Sequence, residues 1–113
     1  MDKVTKHVAT QLRAARVAKR LTQEELAEQL DMATESVSHI ERGVTVPSLK
    51  TIAAAADVLG VSLAELFGGM VDKRPLTPRR AEQEALLRRL ARDLDNRKLT
   101  LAVELVTAVE RSA

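Results

Sequence analysis

Two short apolar patterns of helical period, separated by only three residues, leave this chain few folds to choose from. Thr22-Gln23-Glu24-Glu25 opens the first pattern as a capping box. The threonine oxygen can take the free amide at the third helical position while Glu25 reaches back to the amide of Thr22. Leu26, Ala27 and Leu30 then form the stripe to be buried, over about two turns. After Asp31-Met32-Ala33 a second pattern points Val37 and Ile40 inward and Thr34, Glu35, Ser38 and His39 outward. It stops at Gly43, a residue suited to the left-handed end of a helix. Helices this short are unstable in isolation, so both must rest on a core supplied by the flanking sequence.

The flanking sequence reads as helical too. Val8, Leu12 and Ala15 recur at i, i+4 and i+7, with Arg13, Arg16, Lys19 and Arg20 at polar positions, which predicts a first helix. Beyond the loop Val44-Thr45-Val46, Pro47 and Ser48 open a fourth helix whose expected core face is Leu49, Ile52, Ala53, Ala56 and Leu59, closed by Gly60. Ser62-Leu63-Ala64-Glu65 is a second capping box, expected to start a one-turn helix that plants Leu63, Leu66 and Phe67 in the core. Gly68-Gly69 ends this unit. The expectation is therefore an all-α chain with a five-helix head at residues 1–69, a linker at 70–77 and a helical tail at 78–113. In the tail Thr77 is the N-cap and Pro78 the first helical residue; Leu86, Leu87, Leu90 and Leu94 make a narrow seam. Leu99 to Val109 is apolar on nearly every side except Thr100, Glu104 and Thr107. The tail is either one long helix or, with a break at Asp95-Asn96, a helical hairpin.

Composition narrows the chemistry. The chain has 113 residues, 45% of them hydrophobic, enough for one modest core plus an appendage. Phe67 is its single aromatic residue, which argues against readers that stack unpaired bases on exposed rings. There is no cysteine for a disulfide, a thiolate metal site or a thiol nucleophile. His7 and His39 fall in different helices, tyrosine is absent and no glycine-rich phosphate loop occurs, so no enzyme, metal or cofactor is expected. No run of eighteen apolar residues exists, and Met1 to Thr10 carries Asp2, Lys3, Lys6 and His7 in place of an apolar signal. The reading is a cytoplasmic chain without a membrane partner. Residues 1–69 hold eight Lys/Arg against nine Asp/Glu, and the remainder ten against seven. Net charge alone therefore does not announce a nucleic-acid partner.

Two helices joined by about three residues, the second exposing small polar side chains, form the unit that fits a helix into the major groove of duplex DNA. From Leu12 through Phe67, about half of the chain, the stretches LRAAR, LTQEELAEQL, SVSHIERG and PSLKTIAAAADVLGVSLAELF, in that order and spacing, resemble the lambda-repressor-like family of the Cro/cI or XRE type. The resemblance implies that Gln23 contacts a DNA phosphate beside backbone amides of its helix N-terminus. It implies that Thr34, Glu35, Ser38 and His39 face the groove, and that Ser36, Arg42 and Lys50 lie near the DNA backbone. Glu35 can accept from a cytosine amino group, the Thr34 methyl can touch a thymine methyl and His39 can donate to a purine acceptor. Arg16 and Glu41 are implied as a partly buried ion pair joining the first helix to the end of the third.

The chain departs from that family at several points. Asp31 occupies the usual turn glycine, and Arg20 stands where glycine is common after the first helix; both must tolerate left-handed backbone. Ala33 replaces the usual Ser/Thr cap of the third helix, at a cost of about 1 kcal/mol. The loop Val44-Thr45-Val46 lacks the Lys or Arg often found there, and Glu35 turns a negative charge towards phosphates.

A tail of this length cannot bury enough apolar surface by itself to offset its ordering entropy, and Leu99, Leu101, Val103, Leu105, Val106 and Val109 favour a second chain as the cover. A two-fold homodimer through residues 78–113 is expected, its two third helices about 34 Å apart on an inverted repeat. Such a chain is a dimeric repressor. Two other readings stay open: an antitoxin that represses its own operon and holds a toxin or other regulator on the tail, and a protein-interaction module that no longer binds DNA. Arg79, Arg80, Arg88, Arg89 and Arg92 either solvate the tail or extend the phosphate footprint.

Overall fold

Local signals start nearly every helix where the sequence places them. The computed structural model describes residues 2–68 and 77–112, and its regular structure there is entirely helical. Asp2 accepts the amide of Thr5 at 2.7 Å and starts α1, Lys3–Ala18. Thr22 and Glu25 form the expected capping box of α2, Gln23–Gln29. Helix α3, Thr34–Glu41, begins after Ala33 with no side-chain cap. Ser48 caps α4, Leu49–Leu59, and Ser62 with Glu65 forms the second capping box, on α5, Leu63–Phe67. Thr77 and Pro78 open α6, Pro78–Asp93. Asp95 then caps α7, Asn96–Arg111, so the tail is two helices broken at Leu94 and Asp95. The expected linker lies outside the described residues apart from Thr77, as does Gly69.

Two non-glycine residues take the left-handed backbone that the turns require. Arg20 has φ 62° and Asp31 φ 54°, each at a cost of about 1 kcal/mol that the surrounding packing must offset. Gly60 ends α4 at φ 68°, where a side chain would be strained although nothing lies within 4 Å of its Cβ direction.

Five helices share one apolar core of Val8, Leu12, Ala15, Leu26, Ala27, Val37, Ile40, Ile52, Ala55, Ala56, Leu59 and Leu66, with Phe67 packed at its edge. Three residues expected inside are not. Leu49 is 80% exposed, because it is the first residue of α4 and that turn has no neighbour over it. Ala53 is exposed and Ala55 is buried in its place. The arc 52, 55, 56, 59 is the stripe that an α-helix keeps on one side, and residue 53 lies about 100° away from Ile52. Leu63 is 47% exposed at the start of the one-turn α5, where Leu66 alone is fully covered.

The sixth helix brings a second, smaller core. Ala81 and Ala85 of α6 are buried with Ala14 of α1, and Ala18 packs at the edge. Around these alanines Arg13 pairs with Glu82, and Glu65 of α5 lies 3.2 Å from Arg88 Nε as an ion pair and accepts from Arg92 Nη2 at 2.7 Å. Arg88 and Arg92 thus bind the tail to the head, whereas Arg80 pairs with Glu84 on its own helix at 2.8 Å. The leucine seam of α6 faces away from this contact. No residue of α7 is buried, so α6 and α7 are not packed together as a hairpin would be.

Candidate nucleic-acid interface

Helix α3 presents one polar face. Thr34 and Glu35 are exposed in its first turn, Ser36, Ser38 and His39 are half-buried, and Val37 and Ile40 anchor the other side in the core. Arg42, the residue that ends the helix, is exposed and donates through Nε to Ser38 Oγ at 3.2 Å. The amides of Val44 and Thr45 both donate to the His39 carbonyl, at 2.9 and 3.3 Å, and turn the chain sharply away. The loop so formed faces α3 across a shallow depression of about 230 Å³ lined by Met32, Ser36, His39, Thr45, Val46, Ser48 and Thr51, among others. Lys50 is exposed in the first turn of α4 and does not line that depression.

What holds α3 in place is a buried polar network. Glu41, the last residue of α3, accepts Arg16 Nε at 2.7 Å on one carboxylate oxygen and Arg16 Nη2 at 3.0 Å on the other. The side chains are only 11% and 2% exposed, so this two-pronged pair is largely withdrawn from water. Arg16 Nη1 also donates to the Leu21 carbonyl at 2.7 Å, which satisfies a third donor of the guanidinium. Gln23 Nε2 donates to Glu41 Oε1 at 3.1 Å. Its amide is therefore tied to the end of α3, with one N–H and the carbonyl oxygen left for a ligand. This network joins α1, the start of α2 and the end of α3 in one piece.

Thr34, Glu35, Ser36, Ser38 and His39 lie on one helix that Arg42 ends, Gln23 is linked to that helix through Glu41, and Lys50 lies apart from them in the first turn of α4. Thr45, Ser48 and Thr51 join this surface without having been singled out in the sequence. Pro47 and Ser48 marked a helix start, where Ser48 Oγ accepts the Thr51 amide at 3.1 Å, but nothing local said that the helix would abut α3. The face of α3 is mixed in charge, with Glu35 in its first turn and Arg42 at its end, and the loop after it exposes Val44 and Val46. Among the described residues no cluster of His, Asp or Glu could hold a metal ion, and no helix is long and apolar enough to cross a membrane.

Residues 12–66 match the family model described as helix-turn-helix. Over 68 residues, 60% of this chain, the sequence is 35% identical to Multiprotein-bridging factor 1c of Arabidopsis thaliana, 46% of which is covered. Over 59 residues, 52% of this chain, it is 36% identical to an uncharacterized HTH-type transcriptional regulator of Sinorhizobium fredii, 30% of which is covered. The match thus spans less than half of either relative. No solved structure matches the chain.

Proposed function

Through residues 12–66 this chain belongs to the helix-turn-helix family of the lambda-repressor-like, XRE type, and from that premise we propose that it is a transcriptional regulator which reads duplex DNA with α3. The observation that carries the reading is the Arg16–Glu41–Gln23 network, which presents the polar face of α3 on a rigid support. Gln23 donates its remaining side-chain N–H to a phosphate oxygen and so sets the register of α3. Thr34, Glu35, Ser38 and His39 meet base edges, Glu35 as an acceptor for a cytosine amino group. Ser36, Arg42 and Lys50 lie against the DNA backbone. With Glu35 opposing the phosphates and no cation in the 44–46 loop, one head binds modestly, and two heads on one duplex supply the missing affinity. The chain acts as a homodimer through residues 78–113, a repressor on an inverted repeat, and performs no catalysis.

The test is selection of random duplex DNA by the purified full chain at near-physiological salt, with sequencing of what is retained. An enriched inverted repeat is expected. Glu35→Ala then changes preference at one base-pair position by about 1–3 kcal/mol, whereas Lys50→Ala weakens all sequences alike and lowers the salt slope by about one. No enrichment overturns the DNA reading. Purification with a different small protein would assign the tail to that partner, such as a toxin.

A further inference from the structure

Helix α6 is gripped on one side only. Ala81 and Ala85 meet Ala14 and Ala18 of α1, and Glu65 holds Arg88 and Arg92. The opposite side carries Leu86, Leu87 and Leu90, which line an open groove of about 540 Å³ whose rim is the polar Thr77 and Gln83 and the charged Arg79, Arg80 and Glu84. Helix α7 adds Leu99, Leu101, Val103, Leu105, Val106 and Val109, none of them buried. These nine aliphatic side chains are between 36% and 71% exposed. Together they offer on the order of 800 Å² of apolar surface, the amount each partner buries in a stable interface of standard size. The head of the same chain does not cover them, because its contact with α6 is already made through the alanines. A second copy fits, since a two-fold interface sets one patch against itself and this patch is apolar on both halves.

The gripped side leads to the DNA-facing helix. Ala14 and Arg16 are two residues apart on α1, so they leave it in nearly opposite directions. Ala14 meets α6, while Arg16 holds Glu41 at the end of α3. One helix therefore connects the tail to the proposed reading surface. The α1–α6 contact fixes how α6 lies on the head.

We propose that α6 is a rigid arm, held to its own head through Ala81 and Ala85 and to a second copy of the chain through Leu86, Leu87, Leu90 and α7, so that the α1–α6 contact sets the spacing of the two DNA half-sites. This rests on the dimeric, DNA-reading function proposed above. The half-site obtained by selection is placed as inverted pairs at a series of spacings, and the full chain is compared with its variants by competition for these duplexes and by mass in solution. The wild-type chain is dimeric and prefers one spacing by on the order of 10²-fold, since avidity is lost where geometry forbids both heads to engage. Ala81→Glu stays dimeric and keeps the half-site, but its preference falls to within about tenfold. Leu87→Glu with Leu90→Glu gives a monomer with no spacing preference. Should Ala81→Glu fail to fold, Arg88→Ala with Arg92→Ala, at a half-buried and an exposed position, decides the matter and is expected to broaden the spacing in the same direction. A dimeric variant of either kind with undiminished preference overturns the rigid arm and leaves the dimer standing. A monomeric wild-type chain overturns the dimer and the arm together.

Discussion

The head and the tail hold themselves together by different means. In the head, leucine, isoleucine and valine from five helices meet in one core, and Leu59 and Leu66 are wholly enclosed. In the tail, α6 is attached through four alanines and three ion pairs, and no residue of α7 is buried. Burying large aliphatic side chains stabilises by about 1.5–3 kcal/mol each, whereas alanine contributes little area and mainly lets two helices approach closely. Exposed ion pairs such as Arg92–Glu65 add about 1 kcal/mol at most. The head is thus the stable body, and the tail is placed by shape more than by energy.

Substitutions can break or sharpen this contrast. Leu59→Ala should remove about 2–5 kcal/mol from unfolding in denaturant, the largest loss of the set, because a fully enclosed side chain leaves a cavity that the core cannot close. Arg16→Ala should cost about 3 kcal/mol by leaving the Glu41 carboxylate buried and unpaired, and should weaken DNA binding through α3 as well. A double replacement, Arg16→Met with Glu41→Leu, should recover most of the stability but not the DNA binding; recovery of both would remove the network from the mechanism. Ala33→Ser should raise stability by about 1 kcal/mol, since the α3 start has no side-chain cap, and an unchanged denaturation midpoint would mean that the serine finds no amide. Leu105→Glu, on the uncovered α7, should leave the unfolding of the head within about 0.5 kcal/mol while abolishing self-association. A large loss of head stability from that change would erase the contrast.

Acid gives the smallest effect. The amide and hydroxyl of Thr22 hold the Glu25 carboxyl below the usual carboxylate range. Its folded pKa is lower than its unfolded one, so its contribution is complete above the ordinary carboxylate pKa and is lost as pH falls through that value to the lowered one. Glu25→Gln should flatten the acid limb of a stability-against-pH curve slightly, and an identical limb would show that the box contributes no pH dependence.

How much of this was legible follows from the range of each interaction. The starts of α2, α5 and α6 and the i, i+3 spacing of Val37 and Ile40 depend on residues within one turn of each other. Such features are written in the chain itself. The left-handed Arg20 and Asp31 were expected only from the glycines that the resembling family has there. The Arg16–Glu41 pair, 25 residues apart, was accessible through resemblance to a family and not through any local pattern.

Tertiary structure alone decided the rest. That Ala55 and not Ala53 goes inside follows from the arc through Ile52 and Leu59, but a run of four alanines gives that arc no contrast of its own, because alanine suits a helix surface and a helix core almost equally. The same ambiguity hid the attachment of α6, whose leucines drew attention to the wrong side while Ala81 and Ala85 met Ala14. Sequence by itself determined the helices of the head, most of their starts and the alternation of polar and apolar residues on α3, but not whether the tail was one helix or two. Which helix lay on which was left to packing, since close approach of two helices is favoured by the small residues that carry the weakest periodic signal.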